Sequence, residues 1–135
     1  MAAARWAFQS DRPAIEVALR LPGGQDRACG LIADTGAGSR QSVFELILEE
    51  QTCIACGGIL MGHVQLGGAY SGSFAVYLLN VQIAQLSFDQ PVPAVGVPQA
   101  PQGFDGIAGL KFLRRFHYGN FGAPDQFGLD RLRHP

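Results

Sequence analysis

The stretch CGLIADTGAGSR, residues 29–40, places one carboxylate, Asp34, between an apolar run and a glycine-rich turn. Residues 31–33 have the pattern of a buried strand, and Gly36 and Gly38 indicate the sharp turn that ends it. An aspartate at this junction can cap the backbone amides that follow it, which is a structural role. It can also act as a general base that takes a proton from a reacting group. The rest of the sequence has to decide between these interpretations.

Length and composition limit the classes of partner. The chain has 135 residues, a net charge of -1 and 16% charged residues. This length suits one domain with a hydrophobic core, and the balanced charge provides no basic field, so we expect no nucleic-acid partner. No apolar run approaches the roughly 18 residues of a spanning helix, and the N-terminus has no apolar signal-peptide core. We therefore expect no membrane association and a cytoplasmic location.

Three cysteines and three histidines are the candidate metal ligands. Cys53 and Cys56 form a lone C-x-x-C, and a zinc site would need two further ligands at similar spacing. The histidines are scattered singly at His63, His117 and His134. We therefore expect no metal and no cofactor, with Cys29, Cys53 and Cys56 as small buried thiols.

The first half of the chain predicts a hairpin and then an ambiguous segment. Residues 14–21 and 28–34 have strand patterns separated by turn residues, so Asp34 ends the second strand of a hairpin. Ser42, followed three residues later by Glu45, resembles a capping box and predicts a helix that ends at Gly57 or Gly58. Residues 42–48 also contain β-forming side chains, which favour a strand instead.

The second half predicts mainly strands. Residues 62–83 form two strands around a glycine-rich tip at residues 67–72, which is typical of a mobile hairpin. Four prolines between residues 91 and 101 predict an extended edge segment or loop instead of a central strand. Residues 104–116 predict a tight turn and a short helix, and residues 121–132 predict a final turn and strand.

Three segments together resemble the retropepsin-like aspartic proteases. They are LIADTGAGS, the glycine-tipped hairpin some thirty residues later, and GFDGIAGLKFLRRF. The resemblance extends over about residues 14–132 and depends on the order and spacing of the segments. It implies an all-β fold, a retropepsin-like closed β-barrel of the acid protease type with one or two short helices. We therefore expect an N-terminal extension over residues 1–13 and a single domain over residues 14–135.

The resemblance also implies functional residues and a partner. The catalytic residue would be Asp34, supported by Thr35, Gly36, Ala37, Ile107 and Gly109. The flap that covers a bound peptide would contain Gly67, Gly68, Ala69 and Tyr70, with Tyr70 as the covering side chain. The two-lobed members carry two such aspartate motifs and this chain has one, so the resemblance implies a homodimer. In it, two Asp34 carboxylates would share a proton and activate a water that hydrolyses a peptide bond.

Three alternatives differ from the protease interpretation. Gly38, Ser39 and Arg40 depart from the usual residues after the motif, which leaves open a catalytically inactive peptide-binding or dimerisation module of the same fold. A phosphate-binding loop of the actin-like ATPase type would need two large domains, which 135 residues cannot supply. A serine hydrolase would need a G-x-S-x-G pentapeptide, and none surrounds Ser39 or Ser71.

Overall fold

Strand pairing dominates the architecture seen in a computed structural model, which describes residues 3–132. Strands account for 52% of the structure and helices for 10%. The strands are β1 (Ala4–Ala7), β2 (Ala14–Arg20), β3 (Asp26–Ala33), β4 (Leu46–Glu49), β5 (Ile59–Leu66), β6 (Gly72–Ile83), β7 (Phe88–Val97), β8 (Gly106–Ala108), β9 (Phe116–Gly119) and β10 (Gln126–Arg131). The α-helices are α1 (Glu50–Ala55) and α2 (Leu110–Leu113), and a single 3-10 turn spans Ala84–Leu86.

Six strands close into a barrel in the order β2-β3-β8-β4-β7-β6. The closing contact pairs Ala18 with Gln82 and Leu19 with Val81, which joins β2 to β6. Alternate residues of β2 (Ile15, Val17 and Leu19) are buried in the barrel core, as the period of two in a strand requires. The prediction of an all-β closed barrel with short helices is therefore confirmed.

The hairpin predicted to carry Asp34 is present, with all of β2 paired to residues 26–32 of β3. Strand β5 pairs with β6 and lies at the end of the strand order, outside the closed barrel. The β5–β6 hairpin therefore projects from the barrel wall, and its connection at residues 67–71 forms the glycine-rich tip predicted from the sequence.

The ambiguous segment after Asp34 contains both a strand and a helix. The helix predicted to begin at Ser42 is wrong up to Glu49, because Leu46–Glu49 forms β4 and the helix covers only Glu50–Ala55. Strand β4 lies between β7, which is parallel to it, and β8, which is antiparallel. A strand with neighbours on both sides in this barrel buries consecutive apolar residues, which a single sequence cannot distinguish from a helical face.

The proline-rich segment also differs from expectation. Pro91 and Pro93 pair with β6, and the residues Ala94–Val97 pair with β6 or β4 in the interior of the sheet. The prediction of an edge segment or loop is therefore wrong for Ala94–Val97. The prolines precede the stretch in which β7 is hydrogen-bonded to β4, so their missing N–H groups do not interrupt that ladder.

A second, three-stranded sheet has the order β1-β10-β9. Residues 1–13, which we predicted as an N-terminal extension, include β1, whose Ala4 pairs with Leu129 and is buried in the main core. The final predicted turn and strand correspond to β10. Among residues 3–132, no helix is long and apolar enough to cross a membrane.

Candidate active site

The loop that carries Asp34 is held by backbone hydrogen bonds on both sides of that residue. The Asp34 amide donates to the Ala108 carbonyl at 3.0 Å, and the Ala37 amide donates to the Asp34 carbonyl at 3.1 Å. The Gly36 amide donates to Asp34 Oδ1 at 2.8 Å. The turn-capping role is therefore real, and one carboxylate oxygen fills it while the residue stays exposed to solvent. The orientation of the carboxylate is thus set by its own turn.

Strand β8 forms the wall behind this loop. Ile107 pairs with Ile32 of β3 on one side and with Ile47 of β4 on the other. The Gly109 amide, which follows the strand, donates to the Glu45 carbonyl at 2.9 Å. A Cβ at Gly109 would lie 2.7 Å from the Ala37 carbonyl oxygen. Only glycine therefore permits the close approach between this segment and the Asp34 loop.

The flap predicted at Gly67 to Tyr70 is the tip of the β5–β6 hairpin. Added Cβ atoms at Gly67 and Gly68 would meet nothing within 4 Å, and Gly68 has a φ of +73°. Tyr70 is half-buried and packs against the apolar cluster that contains Ile107. Burial, and to a lesser extent the Glu49 carboxylate, raises the pKa of the Tyr70 phenol. Tyr70, the predicted covering side chain, therefore lies in the cleft lining and packs against the cleft wall.

An open cleft of about 640 Å³ separates the Asp34 loop from the flap. Its apolar lining consists of Ala37, Val43, Phe44, Ile47, Val64, Leu66, Ala69, Tyr70 and Ile107. Its polar side chains are Asp34, Gln41, Ser42 and Gln65. Among the described residues 3–132, Asp34 is the only ionisable group other than the Tyr70 phenol along this lining, so the cleft combines one carboxylate with a largely apolar surface.

The cleft brings together most of the residues that the sequence implicated. Asp34, Gly36, Ala37, Ile107 and the flap residues Gly67, Gly68, Ala69 and Tyr70 all line it. Thr35 is exposed on the same loop, and Gly109 supports the loop from behind.

Other residues at the site had no sequence prediction. Phe44, Ile47 and Val64 contribute to the cleft wall, and an ion pair between Glu45 and Arg115 lies behind it. The signal for the ion pair was a charge within the apolar run VFELIL, which we had assigned to a helix cap. A buried glutamate inside an apolar run needs a partner of opposite charge, so Glu45 can be expected to form an ion pair.

The three thiols lie away from the cleft lining and are buried and free. Burial, with a smaller effect from Asp105, raises the pKa of Cys29 to about 11. Burial, with a smaller effect from Cys56, raises the pKa of Cys53 to about 12. The prediction of small buried thiols is therefore confirmed. Within residues 3–132, no group of three His, Cys, Asp or Glu side chains has an arrangement that would hold a metal ion.

Comparison of the chain with protein-family profiles, with curated proteins and with solved structures finds no match. The geometry of the cleft is therefore the basis for assigning a function. One exposed carboxylate on a hydrogen-bonded loop can bind a cation or accept a proton. Polarising an amide carbonyl at the same time needs a second acidic group, and within residues 3–132 the cleft lining supplies no second carboxyl.

Proposed function

We propose that this chain is an aspartic endopeptidase that acts as a homodimer on extended peptide segments. The observation that carries the proposal is the Asp34 loop, whose exposed carboxylate faces a glycine-tipped hairpin across a largely apolar cleft. The retropepsin-like order of segments in the sequence supports the same assignment. The proposal accounts for the missing second acid, because a second copy would supply it.

In the proposed mechanism, two Asp34 carboxyl groups meet across a two-fold axis and share one proton. Two like charges at hydrogen-bonding distance cannot both ionise comfortably, so the pair titrates as a unit with split apparent pKa values. The ionised member takes a proton from a water that attacks the peptide carbon. The protonated member donates a hydrogen bond to the carbonyl oxygen and stabilises the charge that develops there.

The proposed roles of the other residues follow from their contacts. The Gly36 and Ala37 amides keep the Asp34 loop in one conformation, so that its carboxylate is oriented before the substrate binds. The flap would close over the peptide and exclude water from the reacting bond. The apolar lining would accept the peptide's side chains, while Thr35 is exposed where a second loop could contact it.

The first test replaces Asp34 by asparagine, which preserves volume but removes the proton-accepting oxygen. Peptide cleavage should disappear, while the circular dichroism spectrum and Tm stay close to those of the wild type. Asp26→Asn is the matched control, because Asp26 is an exposed carboxylate at the opposite end of the same strand. Cleavage retained by purified Asp34→Asn would remove Asp34 from the mechanism.

The second test measures the dependence of activity on association. Each monomer would hold half a site, so specific activity should fall on dilution below the dimer dissociation constant. Excess Asp34→Asn chain, allowed to exchange with wild type, should suppress activity because each mixed dimer has one carboxylate and one amide. Constant specific activity on dilution, with no suppression by the mutant, would contradict the composite site.

The pH profile provides a third measurement. A pair that shares one proton should give a bell-shaped dependence with its optimum below neutrality, because the fully protonated and fully ionised pairs are both inactive. Activity that only rises toward alkaline pH would indicate a different base. Peptide binding by calorimetry without cleavage at any pH would favour the inactive peptide-binding module of the same fold.

A further inference from the structure

An ion pair between Glu45, which is buried, and Arg115, which is partly exposed, lies behind the candidate active site and has no part in the mechanism proposed above. Glu45 is 4% exposed, and its two carboxylate oxygens accept hydrogen bonds from Arg115, at 2.6 Å from Nε and 2.8 Å from Nη2. This hydrogen bonding raises the pKa of the Arg115 guanidinium. Both oxygens of the carboxylate are therefore paired with one planar fork, which is a directional arrangement.

Stability alone does not account for this pair. Removing the Glu45 carboxylate from water is costly, whereas the Arg115 side chain stays 34% exposed and is only partly desolvated. Replacing a buried ion pair by apolar residues of similar volume is often neutral or stabilising. The site lies beside apolar residues of β4, so an apolar pair would fit its surroundings. The ion pair fixes the orientation of the two segments that it joins, which an apolar pair would not do.

Those two segments are the ones that hold the Asp34 loop. On one side, the Glu45 carbonyl accepts a hydrogen bond from the Gly109 amide at 2.9 Å, and the Glu45 amide donates to Pro93 at 2.9 Å. On the other side, Arg115 follows α2 directly after Arg114, and its guanidinium lies 5.6 Å from the centre of the Phe88 ring. The ion pair therefore joins the segment before β4 to the end of α2.

Helix α2 in turn contacts the catalytic loop. The Leu110 amide donates to the Ala37 carbonyl at 2.9 Å, and the Ala37 amide donates to the Asp34 carbonyl at 3.1 Å. A helix of four residues is too short to be stable by itself, so its position depends on tertiary contacts such as those of Arg115. Lys111 adds a parallel contact, because its Nζ donates to the Ser42 carbonyl at 2.8 Å.

We propose that Glu45 and Arg115 are positioning residues, which orient the Asp34 loop by anchoring α2 to the segment before β4. The kinetic part of this inference rests on the proposed function, whereas the effect on the loop does not. Loosening the anchor should displace the Asp34 carboxylate without removing any group that contacts the substrate. A displacement of about 1 Å at a catalytic group can lower the rate roughly a hundredfold.

The test compares three variants of the full chain. Glu45→Gln keeps the shape and removes the charge, and Arg115→Lys keeps the charge and removes the fork. The double variant Glu45→Leu with Arg115→Met removes both charges and leaves no unpaired ion. Arg20→Gln is the matched control, because it breaks the exposed Arg20–Asp89 contact of 3.5 Å on the barrel surface. The readouts are amide hydrogen exchange, Tm, kcat and KM.

We expect both single variants to accelerate exchange at the Ala37 and Leu110 amides more than at amides of β2. The kcat should fall about tenfold to a hundredfold with little change in KM. The double variant should regain Tm but neither kcat nor protection of these amides, and the control should change none of the readouts. Recovery of kcat and protection in the double variant would overturn the inference and make the pair a stability element.

Exchange at Ala37 and Leu110 that is unchanged, or that rises equally throughout the barrel, would also overturn it. A wild-type chain that cleaves no peptide would overturn the proposed function instead. In that case accelerated exchange confined to these two amides would still support the positioning role, and uniform exchange would still contradict it.

Discussion

The two sides of the cleft are built in opposite ways. On the Asp34 side, backbone hydrogen bonds join the loop to β8 and α2, and a Cβ at Gly109 would lie 2.7 Å from the Ala37 carbonyl oxygen. On the flap side, Cβ atoms at Gly67 or Gly68 would meet nothing within 4 Å. The loop is therefore fixed by packing and hydrogen bonds, whereas the two glycines of the hairpin tip have open space around them and Tyr70 packs against the cleft wall.

This difference matches the requirements of the proposed hydrolysis within a peptide chain. A carboxylate that exchanges protons must be held in place, because catalysis depends on orientation that is established before the reaction. A segment that admits and releases a long peptide must move. Glycines serve different purposes at the two places, because glycine permits close approach at Gly109 and leaves open space at Gly67. Substitutions at the two places should therefore have different effects.

Gly109→Ala should have the largest effect in this comparison. The added methyl group would press on the Ala37 carbonyl and separate α2 from the Asp34 loop. Overpacking of this kind costs about 1–3 kcal/mol. Urea denaturation should show the loss of stability, and peptide cleavage should fall further than the folded fraction does. A variant of Gly109 with normal stability and activity would contradict the view that this side is tightly packed.

Tyr70→Ala tests whether the contact between the flap and the cleft wall stabilises the fold. Tyr70 is half-buried against the cluster that contains Ile107, so its removal should cost about 1–2 kcal/mol. Turnover of a peptide should decrease as well, since the cleft would lose part of its cover. Comparison of Tm with kcat/KM separates the two roles. An unchanged Tm would show that the ring makes no stabilising contact with the wall.

The strand that delivers Asp34 should lose stability at alkaline pH through its buried thiol. The pKa of Cys29 is raised by burial to about 11, whereas its ordinary value is 9.0. Between pH 9 and 11 the unfolded chain loses the Cys29 thiol proton before the folded chain does. The contribution of this thiol to the free energy of unfolding is therefore complete below pH 9 and is lost as pH rises toward 11. Cys29→Ala should therefore flatten the alkaline decrease in Tm. An identical decrease in wild type and variant would exclude this linkage.

Gly67→Ala should have the smallest effect on stability. The position has open space and no left-handed φ, so alanine should stabilise the chain by roughly 0.5 kcal/mol through the entropy of the unfolded state. If flap motion is needed for turnover, kcat should fall although Tm rises. Such opposite changes would sharpen the contrast with Gly109→Ala, in which both quantities should fall. A clear loss of stability would show that the tip is packed.

Much of the cleft was predictable because its residues have strong local signals. The apolar run before Asp34 and the glycines after it predicted a strand and a turn, and the structure has both. The paired strands around residues 67–72 were likewise predictable, because hairpins form between neighbours in sequence. Most of the predicted cleft residues came from these two local units, and Ile107 came from the segment GFDGIAGLKFLRRF. The protease activity and the homodimer remain predictions.

The errors arose where a residue's neighbours are distant in sequence. Ser42 and Glu45 have the spacing of a helix cap, but β7 and β8 flank Leu46–Leu48 and form a sheet with it. Ala94–Val97 follows prolines that are typical of edges, yet β4 pairs with it and makes it central. Local propensity is weaker than such pairing, so tertiary context decided the type of element in both places.

By itself, then, the sequence determined the strand that ends at Asp34, the turn that caps its carboxylate and the open tip of the flap hairpin. Each of these depends on residues within a few positions of one another, whose backbone preferences act locally. Only the tertiary structure decided that Glu45 pairs with Arg115, 70 residues away, and that Gly109 must be glycine. Such contacts depend on the closure of the barrel, which brings distant segments within hydrogen-bonding distance and which no local pattern records.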